Sequence, residues 1–494
     1  MTLTDLVARG EALHAELGRE YYLTGAGLKA DPAFQAIYHR HQDLVGDEAL
    51  DTARASGEPA LIEWVADLRV GRLVAGCDEE QLRWEHGAVV EVGGRRIPYL
   101  RAAIEVQNSP ERAFRIALDQ ARAEAGRDGV AAVRHRRFAL EREAVSAIGG
   151  NGDYVAAVAR LSGIDLDALG RDADAFLRDT DALYREALER LVRRRLGVPL
   201  GDLMRSDGAW LFRANRFDAA FPPERLVPTA SGQMGEMGLD ATQEGRVRLD
   251  TVEREGKQSR AFCVPVRVPD EVYVVLRPHG GHGDYRTFWH ELGHAMHYGA
   301  VDRDRPFHER WLGDNSVTEA FAMLWDHLTM DAGWLGRYTE MGPKGSRAGG
   351  QVEDLVFELA VAELYLLRRY AAKLGYELEL HRGDYGAPDL GDRYAARLTA
   401  ATRFRFPEAD ALLDVDPGFY AARYLRAWQL EAALAGILTG RFDHDWYRNP
   451  RAGAFVHDLM RRGQAAPADR VAVEVSGRAL SFAPVVERLA AVLA

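Results

Sequence analysis

His290 and His294 stand four residues apart with Glu291 beside the first, in the run His290-Glu291-Leu292-Gly293-His294. On a helix, positions i and i+4 share one face, so both imidazoles can reach a single metal ion. Glu291 lies next to that face, where a carboxylate can take a proton from a water activated there. With 15 histidines in 494 residues, this pattern arises by chance on the order of 0.03 times per chain, so the spacing alone is informative. A catalytic zinc takes three protein ligands and keeps a fourth position open. Glu319, 25 residues beyond His294, is the candidate third ligand. Val317, Phe321, Leu324 and Leu328 would form the buried stripe of its helix, which Asn315 or Ser316 could cap. An acid within such an apolar turn is costly unless it is paired or bound to metal.

Other polar residues surround this set. Asp284, six residues before His290, can cap the metal helix by accepting a backbone N–H near Thr287. Asp326, seven residues beyond Glu319, could orient a ligand through a hydrogen bond, or lie on a solvated helix face. His297 follows His294 by three residues, off the best geometry for ligation, and reads as a structural or supporting histidine. His279 and His282 flank glycines, either reaching substrate or incidental to a loop. Cys263 reads as a small buried hydrophobe, because no basic partner for a nucleophile accompanies it.

Phe288, Trp289 and Leu292 give the histidine helix an apolar face. Upstream, segments 246–250, 261–268 and 272–277 are rich in Val and aromatic residues and bounded by Gly, Pro and Asp, as strands are. Pro265 cannot donate to a ladder, so the second strand is expected at an edge. Such an edge at Ala261, Phe262 and Cys263 could hold an extended peptide by its backbone, or be purely structural. This sheet is the only β structure expected.

The first 220 or so residues read as successive helices. Residues 172–196 carry a stripe of Leu177, Tyr184, Leu188 and Leu191, ending at Arg193, Arg194 and Arg195 before Gly197 and Pro199. Residues 110–126 and 153–161 are similarly amphipathic. The texture changes at Phe221, where three prolines and several glycines through Gly238 predict irregular surface chain. From Asp284 onward helix returns, broken at Gly342–Gly350 and at Gly383–Pro388.

Composition bounds the rest. Lys+Arg number 63 against 75 Asp+Glu, giving a net charge of −12, and hydrophobic residues make up 47%. A disordered chain is excluded, and a nucleic-acid partner bound by bulk charge is not expected. Two distant cysteines, Cys77 and Cys263, call for no disulfide framework and suit a reducing compartment. No secretory pattern opens the chain and nothing approaches the roughly 18 apolar residues of a membrane helix. A cytoplasmic protein without membrane partners is expected.

The stretch Gly256-Lys-Gln-Ser-Arg-Ala-Phe-Cys263, the Val/Tyr-rich strand, Asp284, His290-Glu-Leu-Gly-His-Ala-Met-His297 and Val317-Thr-Glu319, in that order and spacing, resembles the thimet oligopeptidase and oligoendopeptidase F family of gluzincin zinc peptidases. The cluster covers residues 254–328, and a weaker similarity reaches Pro417-Gly-Phe-Tyr-Ala-Ala-Arg-Tyr-Leu425. The resemblance implies a mainly α, two-lobed helical body with a deep central channel and a small antiparallel sheet next to the zinc helix. The N-terminal helical lobe would be residues 1–220. The catalytic lobe would be 221–494, with the sheet in 245–278, zinc-binding helices in 284–328 and C-terminal helices beyond.

It further implies that His290, His294 and Glu319 bind one Zn²⁺ per chain, that Glu291 is the general base and acid, and that short peptides are the substrates. Tyr424, with Tyr420 one turn earlier, would hydrogen-bond the tetrahedral intermediate beside Arg423. The family's histidine about a dozen residues before this tyrosine is missing, since residues 411–418 hold Asp414 and Asp416 instead. One alternative is a carboxypeptidase or dipeptidyl carboxypeptidase of a related helical zinc family. The dipeptidyl type has an acid four residues after the glutamate ligand, where Met323 stands here. A catalytically silent peptide-binding relative is another, against which the intact Glu291 speaks. A metal-free helical scaffold is the third.

Overall fold

Amphipathic periodicity over most of the chain produces a mainly helical protein in the computed structural model, which describes residues 1–149, 152–258, 260–342 and 349–494. Helix α1 (Leu3–Gly25) opens on a reciprocal cap in which the Thr2 hydroxyl accepts the Asp5 N–H and the Asp5 carboxylate accepts the Thr2 N–H. Helix α2 (Pro59–Gly87) leads into a hairpin that the sequence reading lacked, β1 (Val89–Val92) and β2 (Arg95–Pro98). Gly93 and Gly94 turn it with φ of 57° and 75°, the positive pair that a two-residue hairpin turn requires. Helix α3 (Arg112–Gly149) follows.

Two further expectations are corrected. The stripe over 172–196 belongs to two helices, Leu166–Asp179 and Asp181–Arg195, which part at Thr180. There the buried Arg368 guanidinium donates to Leu177 O and Thr180 Oγ1 at 2.7 Å and to Asp181 at 3.0 Å. That distant cation satisfies the groups exposed by the break, which no local pattern reveals. The proline-rich chain after Phe221 is not irregular throughout, because Leu226–Glu236 is a helix burying Leu226, Ala230 and Met234. Pro228 is tolerated in its first turn, where a backbone N–H would have no helical acceptor.

Strands β3 (Val247–Asp250), β4 (Phe262–Arg267) and β5 (Glu271–Val275) form the expected sheet in the order β3-β5-β4. It is mixed and not antiparallel, since β4 runs antiparallel to β5 whereas β3 runs parallel to it. Chain neighbours β3 and β4 lie on opposite sides of β5, and Asp250 and Phe262 both pair with Val275, so the connection between them crosses one end of β5 and the hairpin back from β4 leaves β5 parallel to β3. Central β5 buries Val272, Val274 and Val275 completely. Pro265 sits on the edge strand β4 as expected, with a register shift between it and Arg267.

Helices α4 (His282–Ala300) and α5 (Asn315–Asp326) pack closely against one another. Gly293 makes that approach possible: a Cβ there would stand 2.7 Å from Ala322 Cα and 3.0 Å from Phe321 O. Helix α6 (Gly349–Arg382) ends at the break expected near Gly383. The break expected from Gly342 lies largely outside the described residues, at 343–348. Helices α7 (Tyr420–Phe442) and α8 (Ala483–Leu493) lie in the last part of the chain.

The chain forms two compact units, one of Met1–Leu68, Arg216–Val356 and Arg426–Arg488, the other of Arg69–Asn215, Phe357–Leu425 and Leu489–Ala494. The change in texture at Phe221 lies near one passage between them. The other four passages fall inside α2, α6, α7 and α8 and leave no mark in composition. Among the described residues no helix is long and apolar enough to cross a membrane.

Candidate metal centre

Helix α4 begins at His282 after Gly281, two residues before Asp284, and this corrects the capping role expected for that acid. Asp284 Oδ2 reaches back to accept the N–H groups of His279 and Gly280 at 2.8 and 2.9 Å, tying the preceding loop to the first turn. The cap of α5 is also one residue earlier than expected. Asp314, not Asn315 or Ser316, accepts the Ser316 N–H at 3.0 Å. Its other oxygen takes Arg426 at 2.8 Å and the Ala468 N–H at 3.0 Å, so partners distant in sequence select the cap.

These two helices bring His290, His294 and Glu319 together, with one ligand atom of each inside a 4.8 Å group. Glu319 Oε2 lies 3.4 Å from His290 Nε2 and 3.6 Å from His294 Nε2. The opposite nitrogens are engaged: His290 Nδ1 is 2.8 Å from Asp326 Oδ2, and His294 Nδ1 is 2.9 Å from Thr318 Oγ1. Both Nε2 atoms are thereby turned toward Glu319. Two imidazoles and a carboxylate are the donor set of a catalytic zinc site, and bonds of ~2 Å in a tetrahedron place donors about 3.3 Å apart. The residues present fit that ion.

Glu291 is held from the sheet, its Oε2 accepting the Cys263 N–H of edge strand β4 at 2.8 Å. Burial pushes the Glu291 carboxyl up, with Glu319 adding to the rise and His290 and the Cys263 N–H opposing it, to about 7. Burial alone would lower His290, but Asp326 and Glu319 hold it well above the ordinary imidazole value. Burial takes His294 down to about 4. Near neutral pH the metal-free pair therefore carries a single positive charge, on His290. Burial would raise Asp326, yet Arg286, His327 and His290 outweigh it and keep that carboxyl at about 2.

His297 is fully buried with Nε2 3.3 Å from Gly463 O, so it stands outside the metal group. His282 Nε2 likewise faces Thr329 O at 3.2 Å. The Phe262 ring packs edge-on against Tyr21 at 5.4 Å, and Cys263 is half-buried with its thiol pushed up by burial. Thr318 and His327 were missed by sequence reasoning. Thr318 carries only the signal of directly preceding Glu319, and His327 that of following Asp326.

Tyr420, Arg423 and Tyr424 lie on the first turns of α7, in the second unit. The two tyrosine rings are 5.1 Å apart, and Tyr424 is 5.2 Å from Tyr370. The loop before them, without the expected histidine, is anchored by charge. Asp414 takes Arg369 and the Tyr394 hydroxyl, Asp416 takes Lys373 at 2.7 Å, and the Asp416 and Gly418 N–H groups donate to Glu377 and Glu141.

No family model matches this sequence, and no curated protein matches it. Solved structures do match. A protein assigned as oligoendopeptidase F from Bacillus anthracis strain Ames superposes with a TM-score of 0.63 at 15% identity, over 98% of this chain and 82% of that one. The M32 carboxypeptidase from Deinococcus radiodurans R1 gives 0.58 at 15%, over 99% of both chains. PZ peptidase A with an inhibitor gives 0.63 at 15%, over 98% of this chain and 84% of that one. This chain shares their fold, with a His-His-Glu group that could hold a metal.

Proposed function

We propose that the protein is a zinc peptidase of short peptides, in which His290, His294 and Glu319 hold one Zn²⁺ and Glu291 manages the protons. The observation that carries this is the convergence of both Nε2 atoms on Glu319, with Glu291 fixed beside them. When bound, zinc would polarise the scissile carbonyl and make water nucleophilic near neutral pH.

The rest is work for this chain's own residues. Glu291 takes a proton from the attacking water and passes it to the leaving amine; a carboxyl lifted to about 7 is matched to both steps. The Cys263 N–H steadies that carboxylate. The edge strand from Phe262 and Cys263, with Ala261 just before it, would offer backbone groups other than the Cys263 N–H to an extended substrate. Tyr424, aided by Tyr420 and Arg423, would donate to the developing oxyanion, an effect worth about 10²–10³ in rate. Asp284, Asp326 and His297 support the helix and its ligands. A channel that admits only short peptides, and a cytoplasmic setting, belong to the same reading.

Glu291→Gln should retain zinc and lose hydrolysis of a quenched fluorescent peptide by about 10³-fold or more. Unchanged turnover in that variant overturns the assignment. The carboxypeptidase reading has one observation in its favour, the 99% mutual coverage with the Deinococcus structure. Mass analysis of products from a peptide with a free C-terminus and its amidated twin separates the two. Internal cleavage of both supports the endopeptidase, whereas stepwise shortening of the free form alone supports the carboxypeptidase.

A further inference from the structure

Asp326 uses only one of its oxygens on His290. Its other oxygen, Oδ1, faces Arg286 Nε at 3.7 Å and His327 Nε2 at 3.6 Å. His327 starts the short 3₁₀ turn that leaves α5, and its Nδ1 lies 3.0 Å from Glu431 Oε2. Glu431, on α7 and only 1% exposed, accepts two bonds from Arg488 Nη1 at 2.7 and 2.9 Å. Arg488, on α8, also brings Nη2 to 3.3 Å from His327 Nδ1. From the metal group outward the order is His290, Asp326, His327, Glu431, Arg488. Bases alternate with acids, on residues that span nearly 200 positions of the chain and share one compact unit.

We propose that Glu431 is a positioning residue for the metal centre: through His327 it holds Asp326 against His290, although it touches none of the three metal-group residues. Two carboxylates as buried as Asp326 and Glu431 persist only while each keeps its partners. An aspartate is free to rotate about its side chain. The partners on Oδ1 decide whether Oδ2 stays on His290 Nδ1, and that bond sets the ring's tautomer and aim. Glu431 fixes the nearer of those partners by its other nitrogen. Removing the Glu431 charge takes away the acid that faces His327 Nδ1, lets the ring draw Oδ1 toward its Nε2 and loosens Oδ2. Arg488, partly open to solvent, closes the series and gives the final helix a part in metal binding.

This inference rests on the zinc reading above. The test uses the full chain and zinc alone, measuring the zinc dissociation constant by competition with a chromophoric chelator, beside thermal unfolding of the metal-free forms. Glu431→Gln and Arg488→Met should each weaken zinc about 10-fold, and Arg488→Lys should keep most of the affinity. Glu141→Gln is the matched control: it removes an equally buried, ion-paired glutamate in the other unit. It should leave zinc affinity unchanged even where its metal-free unfolding temperature falls as far. If wild type binds one zinc and Glu431→Gln binds it within twofold as tightly, the positioning role is overturned while the zinc reading stands. Equal weakening by Glu141→Gln overturns it as well. Wild-type protein that binds no zinc overturns the zinc reading and this inference with it.

Discussion

His290 and His294 sit one turn apart on one helix, yet their environments drive their protons in opposite directions. Asp326 and Glu319 hold His290 charged, whereas burial strips His294 to about 4. Glu291, lifted to about 7, is about half protonated at neutral pH in the metal-free protein. Zinc accepts only the neutral imidazole, so binding must expel the proton on His290. Rising pH removes the competing proton, so zinc affinity should climb until His290 is neutral without metal. Calorimetry at pH 6.5 in two buffers of different ionisation enthalpy should register at least about one proton released per zinc, from His290 and in part from Glu291; identical heats in both buffers would contradict this. The residue types and spacing that make this site were legible in the sequence. The Nδ1 partners were not equally so: Asp326 falls at a helical interval from Glu319, but no interval flags Thr318.

At the scale of elements, the pair α4 and α5 is the unit that matters. Helical periodicity announced both, but their caps were misplaced by one residue at α5 and by several at α4. Asp314 wins over Asn315 because Arg426 and Ala468 reach it from elsewhere in the fold. Gly293 lies inside the motif, where any residue would satisfy the pattern; its need emerges only from the backbone of α5 beneath it. Gly293→Ala should push the helices apart, costing about 1–3 kcal/mol and weakening zinc, because Glu319 rides on the displaced helix. Urea unfolding of the metal-free protein checks the first effect and chelator competition the second. Wild-type values in both would refute the role of the close approach.

For the whole molecule, burial and charge are coupled through acids such as Glu431. Burial would raise its carboxyl, but Arg488 and His327 hold it at about 2, below an ordinary value near 4.5. A lowered folded-state pKa adds stability that is present above about 4.5 and lost as pH falls toward 2. Glu431→Gln should therefore flatten the loss of stability between pH 4.5 and 2.5, measured as the thermal midpoint across that range. An acid limb as steep as wild type would show the charge to be uncoupled from folding.

The sequence by itself determined what depends on neighbours along the chain. It set the helical character, the strands before the helix of His290 and His294, the edge position of Pro265, and the candidate ligand set of His290, His294 and Glu319 with Glu291 beside it. Amphipathic spacing and ligand spacing are local properties, and a helix carries them into space unchanged. Only the tertiary structure decided what depends on residues far apart in sequence. Arg368 splits the helix expected over 172–196, β3 joins β5 in parallel, and four unit passages are hidden within helices. Asp326, His327, Glu431 and Arg488 meet behind the metal group. Those outcomes are set by which buried charges and backbone groups find each other when the core closes, and one-dimensional spacing holds no record of that choice.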